Sequence, residues 1–304
     1  MITVSFDADH ADRDRRERLY AGELFVNAPS DATLRLCALA RELIAEAFPG
    51  QDPLHVQETM EVAAYAAILA PLKRGFIHDP RSIATIAEIV RVSGCDPETT
   101  YIDVPRLRIA THSGYLTSGV AYAHHPHRDT WYSAPPSQIN WWVPIFDFDA
   151  ASGMAFHPAY WDRVIVNSSN EFDYYEWNAN GRKNAAQHVA SDTRRQPTAQ
   201  EPLDALEPQL RLVTRVGSPL LFSAAHLHST VPNTSGRTRW SFDFRTVDIA
   251  DVAAGHGART ADSRCTGTSL RDFVRASDFS RMPEELAARY DGRRPAAGPL
   301  VFAG

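Results

Sequence analysis

Between Thr238 and Val247 the aromatic residues Trp240, Phe242 and Phe244 alternate with Arg239, Ser241, Asp243 and Arg245. Successive side chains of a strand point to opposite faces, so the run reads as a strand with one apolar and one polar face. Shorter β-prone runs precede it: Ile102–Ala110, Gly119–Ala123, His127–Trp131, Ile139–Phe148, Met154–Phe156, Leu210–Val216 and Pro219–Ser223. Turn chemistry at Pro135-Pro136-Ser137, Asp149–Gly153 and Gly217-Ser218 separates several of them. Many short strands joined by Gly- and Pro-containing turns predict a sandwich or jelly roll.

The first third has a different period. Ser30-Asp31 caps a helix over Ala32–Ala47, Pro53–Leu72 carries enough buried-type residues for a second, and Arg81–Val92 reads as a third, stopped near Gly94. The expected fold is therefore mainly β with flanking helices, a jelly-roll core resting on an N-terminal helical layer. With 304 residues the chain is expected to form a single domain: helical support over 1–99, the core over 100–249 with a polar insertion at 166–202, and a peripheral segment over 250–304. The aromatic cluster Phe172–Trp177 makes that insertion a candidate cover for the mouth of the core.

Composition narrows the function classes. A formal charge of -6 supplies no basic face for nucleic acid, and no apolar run near twenty residues is present to span a membrane. The segment from Met1 to His10 has no apolar core for a signal peptide. Cys37, Cys95 and Cys265 are widely spaced, which fits neither a disulfide framework nor a cysteine zinc site, and the cytosol is the expected compartment.

Chemistry concentrates in Ala123–Asp129. On an extended backbone His127 and Asp129 project to one side, a two-ligand claw that a later histidine would complete. Two imidazoles and one carboxylate on one face leave coordination positions open, the pattern of non-haem Fe(II) oxygenases. Zinc could use the same ligands to activate water. Both His226 and His228 have the right parity to be the third ligand, and Arg239 offers a guanidinium fork for the distant carboxylate of a dicarboxylic cosubstrate. Gln138 and Asn140 share the face of Trp142 and are candidates to touch cosubstrate or substrate. Asp243 and Arg245 share the face of Arg239, where a structural ion pair competes with a substrate role, and Arg106 and Arg108 are further substrate candidates.

His127-Arg128-Asp129, Trp142 with the Asp147–Gly153 turn, and His228-Ser-Thr-Val-Pro-Asn233 followed by Arg239 together resemble the phytanoyl-CoA dioxygenase family, over about Val120–Gly153 and Leu210–Val247. The resemblance implies a double-stranded β-helix in which His127, Asp129 and His228 bind Fe(II) and Arg239 holds 2-oxoglutarate. It places Thr230 and Trp142 in the cosubstrate pocket and selects His228 over His226. It also implies a small-molecule substrate, such as an amino-acid derivative or specialised metabolite, oxidised with O2 while 2-oxoglutarate yields succinate and CO2. Halogenating relatives carry a small residue in place of the carboxylate, so Asp129 favours hydroxylation. The chain departs from the family at His157-Pro158-Ala159-Tyr160, and neither the helical third nor the insertion transfers, so an acyl-CoA substrate is not implied. The competing classes are a jelly-roll metal- or sugar-binding protein and a zinc-dependent hydrolase. Oligomeric state is not readable.

Overall fold

The computed structural model describes residues 2–181, 185–189, 191–203 and 208–292. Parts of the expected insertion and the end of the expected peripheral segment, 293–304, lie outside the described residues. The strands are β1 (Val4–Phe6), β2 (Leu24–Val26), β3 (Thr100–Ile102), β4 (Arg106–Ala110), β5 (Ile139–Pro144), β6 (Met154–Phe156), β7 (Leu210–Arg211), β8 (Leu220–Ser223), β9 (His228–Thr230), β10 (Arg239–Asp248) and β11 (Val274–Arg275). Four longer helices, α1 (Asp12–Tyr20), α2 (Asp31–Ala47), α3 (Val62–His78) and α4 (Pro80–Val92), belong to the first third.

An eight-stranded sheet runs β1-β2-β8-β5-β10-β3-β11, with β4 also paired to β10. A three-stranded sheet, β7-β6-β9, faces part of it. This is the expected mainly β jelly-roll arrangement with flanking helices. Strand β10 is its axis, because it pairs antiparallel with β5 along one edge and with β4 and then β3 along the other. Pro105 cannot donate to the ladder, and the expected single strand Ile102–Ala110 is accordingly split in two around it.

The alternation in β10 sorts the two faces of the large sheet. Trp240, Phe242 and Phe244 join Trp141 and Val143 of β5 and Leu107 and Ile109 of β4 in one core with Leu36, Leu69, Phe76 and Ile89 from the helices. Arg239, Asp243, Arg245, Gln138, Asn140, Trp142 and Arg108 fall on the opposite face, which lines a cavity. Between the two sheets, Trp142, Phe148, Phe156, Leu220 and Phe222 form a second apolar cluster.

Helix α2 begins with a capping box, in which the Ser30 hydroxyl accepts from the Thr33 amide and Thr33 Oγ1 accepts from the Ser30 amide. Such a cap stabilises by about 1 kcal/mol. Helix α3 starts nine residues later than the expected Pro53 and runs on to His78, where Asp79-Pro80 ends it and caps α4. The N-terminal third is not purely helical: β1 and β2 add to the large sheet beside β8. No helix among the described residues is long and apolar enough to cross a membrane.

Two expected strands are absent. Gly119–Ala121 forms a single 3-10 turn, in which Gly119 has a positive φ of 57°. After His127, the chain also leaves the extended state for a 3-10 turn over Asp129–Tyr132. Expected Leu210–Val216 shortens to β7, and Gly217 turns the chain back into β8.

Candidate metal centre

His127 and Asp129 meet without a strand between them. Arg128 is extended, with φ -108° and ψ 141°, and one extended residue suffices to put its two neighbours on one side. His127 forms an isolated bridge with His228, through reciprocal backbone hydrogen bonds of 2.9 and 3.0 Å, which delivers the third side chain. Arg128 points the other way and is buried. Its Nη2 donates to the carbonyls of Tyr160 and Arg163, its Nη1 to that of Ala225, and its Nε lies 3.1 Å from Asp262 Oδ2 as an ion pair. The residue between the two candidate ligands thus ties their loop to the turn that precedes His228.

One ligand atom from each of His127, Asp129 and His228 lies within 4.8 Å of the others. Asp129 Oδ1 is 3.4 Å from His127 Nε2 and 3.9 Å from His228 Nε2. The Nδ1 of His127 is 2.7 Å from the His125 carbonyl, and that of His228 is 3.0 Å from the His226 carbonyl. A carbonyl can only accept, so each Nδ1 carries a proton, and each Nε2 is the ring nitrogen that faces the carboxylate. Asn140 Nδ2 donates to Asp129 Oδ2 at 2.7 Å, and Gln138 Nε2 donates to Asn140 Oδ1 at 3.0 Å. These outer bonds fix the amide's orientation and leave Oδ1 for the centre.

Burial would push the Asp129 carboxyl up, but His127, His228 and the Asn140 amide together hold it well below the usual carboxylate range. Burial, followed by the nearby His127, lowers His228 to about 3. An ionised carboxylate and a neutral imidazole are the protonation states that metal ligation requires.

The other histidines separate from this centre. His226 is not on a strand: its Nε2 is 3.1 Å from the Gly22 carbonyl and its ring lies against Trp161, which removes it as a ligand. His124 packs between Tyr122 and His127, with both ring centroids 4.9 Å away. Burial, with the neighbouring His127, keeps it neutral.

A cavity of about 770 Å³ opens in front of the three side chains. Arg239 lines it, is buried, and has an Nε with no hydrogen-bond partner. Its guanidinium sits 5.4 Å over the Trp142 ring. Burial, and then the like charge of Arg108, bring Arg239 down to about 10. Thr230 is beside His124, whose amide donates to Thr230 Oγ1 at 3.2 Å. Gln138 and Asn140 line the cavity as well, yet their amides are engaged in orienting Asp129. Asp243 is the hub of an ion-pair network, taking Arg108 Nε and Nη2 and, at 3.2 Å, Arg245 Nη1. Arg106 pairs with Asp103, which also takes Arg245 at 3.3 Å.

Several lining residues carried no motif in the sequence: Lys73 from α3, Tyr132, and Asn178 and Arg194 from the insertion, beside Phe172 and Trp177 of its aromatic cluster. Residues of the insertion line the cavity, where Tyr132 packs on Phe172 at 5.3 Å and Tyr132 Oη donates to Gln196 Oε1 at 3.2 Å. Only the aromatic run Phe172–Trp177 signalled it beforehand.

No protein-family model matches the chain, and no curated protein matches it. Among solved structures it is similar to EvdO2 from Micromonospora carbonacea var. aurantiaca complexed with 2-oxoglutarate, at 11% identity over 84% of this chain and 95% of that one, with a TM-score of 0.43. It is also similar to the epimerase SnoN in complex with Fe3+, alpha ketoglutarate and nogalamycin RO, at 17% identity over 83% and 98%, with a TM-score of 0.39. A third similar structure is AviO1 from Streptomyces viridochromogenes Tue57, at 15% identity over 80% and 98%, with a TM-score of 0.39.

Proposed function

We propose that the chain is an Fe(II)- and 2-oxoglutarate-dependent oxygenase that hydroxylates an unactivated C–H bond of a small molecule. The observation that carries this reading is Arg239: a buried guanidinium with a free Nε, on the wall of the cavity that the three-donor centre faces. Burying a cation without a partner costs several kcal/mol, so the arrangement is matched to an anion that arrives with a ligand. A zinc hydrolase has no need of it.

The residues present fit the metal. Two imidazoles and one carboxylate lie within 4.8 Å of one another, and a metal held by His127, Asp129 and His228 would keep positions for a 2-oxo acid and O2. Bound there, iron would supply O2 activation coupled to oxidative decarboxylation of 2-oxoglutarate to succinate and CO2. The chain's own part is orientation. Asn140 fixes the carboxylate, the His125 and His226 carbonyls fix the imidazoles, and Arg239 holds the far carboxylate of the cosubstrate over Trp142, with Thr230 as a further wall. The insertion supplies part of the cavity wall, through Phe172, Trp177, Asn178 and Arg194. The phytanoyl-CoA dioxygenase resemblance implies the same roles for His127, Asp129, His228, Arg239 and Thr230.

The test is 2-oxoglutarate binding and succinate formation by protein reconstituted anaerobically with Fe(II) and then exposed to O2. Wild type should bind the cosubstrate and release succinate, and Asp129→Ala should do neither at a measurable rate. Tight zinc with no response to 2-oxoglutarate would instead favour hydrolytic or binding chemistry.

A further inference from the structure

The cavity holds more positive charge than 2-oxoglutarate can use. Apart from Asp129, four arginines on its wall share three carboxylates: Arg106 and Arg245 on Asp103, Arg108 and Arg245 on Asp243, and Arg194 on Asp192. Lys73, Arg74 and Arg239 add three further cations on the wall, none of them in an ion pair with a carboxylate among the described residues. Iron with Asp129 carries one net positive charge, and a 2-oxoglutarate dianion more than offsets that. A surplus on the order of two to three positive charges is left, in a chain whose formal charge is -6.

Lys73 marks where the surplus is placed. It projects from α3 into the cavity, where its Nζ donates to the Val120 carbonyl at 2.5 Å, and an ammonium has two more protons to give. Burial, and then the like charge of Arg108 with those of Arg194 and Arg106, drive Lys73 down to about 7 despite Asp243. Asn178 lines the same cavity, is 7% exposed, and both its Nδ2 and its Oδ1 lack a partner. A buried amide with neither atom satisfied is costly and marks a place for a ligand group. Beside it Phe172 and Trp177, with ring centroids 5.9 Å apart, offer an apolar surface.

We infer that the substrate is an acidic small molecule, with a carboxylate or phosphate bound by Lys73 and an apolar or planar body lying against Phe172 and Trp177, within hydrogen-bonding reach of Asn178. This rests on the oxygenase reading, which gives Arg239 to the cosubstrate and leaves Lys73 for the substrate.

The experiment uses protein loaded anaerobically with Fe(II) and saturated with 2-oxoglutarate, titrated calorimetrically with phenylacetate, phenyl phosphate and benzyl alcohol. At least one anion should bind wild type about tenfold more tightly than benzyl alcohol does, the usual order for a charge-assisted bond. The tighter of the two identifies the acid. Lys73→Gln should lose that preference and Lys73→Arg should keep most of it. Equal binding of benzyl alcohol and both anions to wild type overturns the inference without any variant. So does an unchanged preference in a folded Lys73→Gln protein, checked by circular dichroism. Cosubstrate binding is measured separately: if 2-oxoglutarate does not bind the iron-loaded protein, the oxygenase reading fails, whereas an anion preference that depends on Lys73 alone still locates the acid site.

Discussion

Asn140 shows how one side chain can decide a site without touching the metal. Its amide holds Asp129 Oδ2 and is itself held by Gln138, so the free Oδ1 faces the two imidazoles. Losing such an outer hydrogen bond typically costs 10–100-fold in metal affinity. Asn140→Ala is accordingly expected to weaken Fe(II) or Zn(II) binding by about that factor in a competition titration with a chelating dye, and unchanged affinity would sink the positioning role. From the sequence, the meeting of His127, Asp129 and His228 beside a cavity that Arg239 also lines was legible, because their order and spacing survive whatever the backbone does between them. The role of Asn140 was not, since strand parity places it on the right face but cannot say whether it meets a carboxylate or a ligand. Parity also misjudged His226. It counts only along an extended chain, and His226 sits in the turn after β8, bonded to the Gly22 carbonyl.

At the scale of elements, the insertion is fastened to the core at the 3-10 turn that the sequence led us to expect as a strand. Ser118 Oγ donates to the His188 and Val189 carbonyls at 2.7 and 2.9 Å, and the Gly119 amide donates to Asp192 Oδ2 at 3.1 Å. Arg194 returns to the Gly119 carbonyl at 3.2 Å and stacks over Trp177 at 5.2 Å. Gly119 permits this approach, because a Cβ there would collide with the carbonyls of Ala185 and His188 at a positive φ. Gly119→Ala should therefore unseat the cover while leaving the two sheets intact. The expected readout is faster limited proteolysis within 166–202 and an unchanged far-ultraviolet dichroism spectrum; equal proteolysis rates would mean the cover is held elsewhere. Local propensity could not reveal this fastening, since a β-prone run such as Gly119–Ala121 becomes a turn when a distant segment takes its hydrogen bonds. By contrast, α2, α4 and β10 were readable to within a residue or so, because each carries its own periodicity and α2 its own cap.

Over the whole molecule, the helices fill one face of the large sheet and leave the other to charge, and that division makes ligand binding and fold stability one equilibrium. Asp129 lies among buried imidazoles, and Arg239 Nε is buried with no hydrogen-bond partner, and these are the two ends of the cosubstrate site proposed above. A ligand that binds only the native state stabilises it by about 2.7 kcal/mol at a free concentration 100 times its Kd. For domains of roughly 150–250 residues each kcal/mol raises Tm by about 2–4 °C, and this larger chain should fall toward the low end. Metal alone should raise Tm by several degrees. If 2-oxoglutarate spans the metal and Arg239, it should add a second increment in the metal-loaded protein and far less in the metal-free one. Arg239→Gln should keep the metal increment and lose most of the second. A 2-oxoglutarate shift of equal size with and without metal would show that the diacid binds the cationic wall alone, and that the three-donor centre and Arg239 do not act as one site.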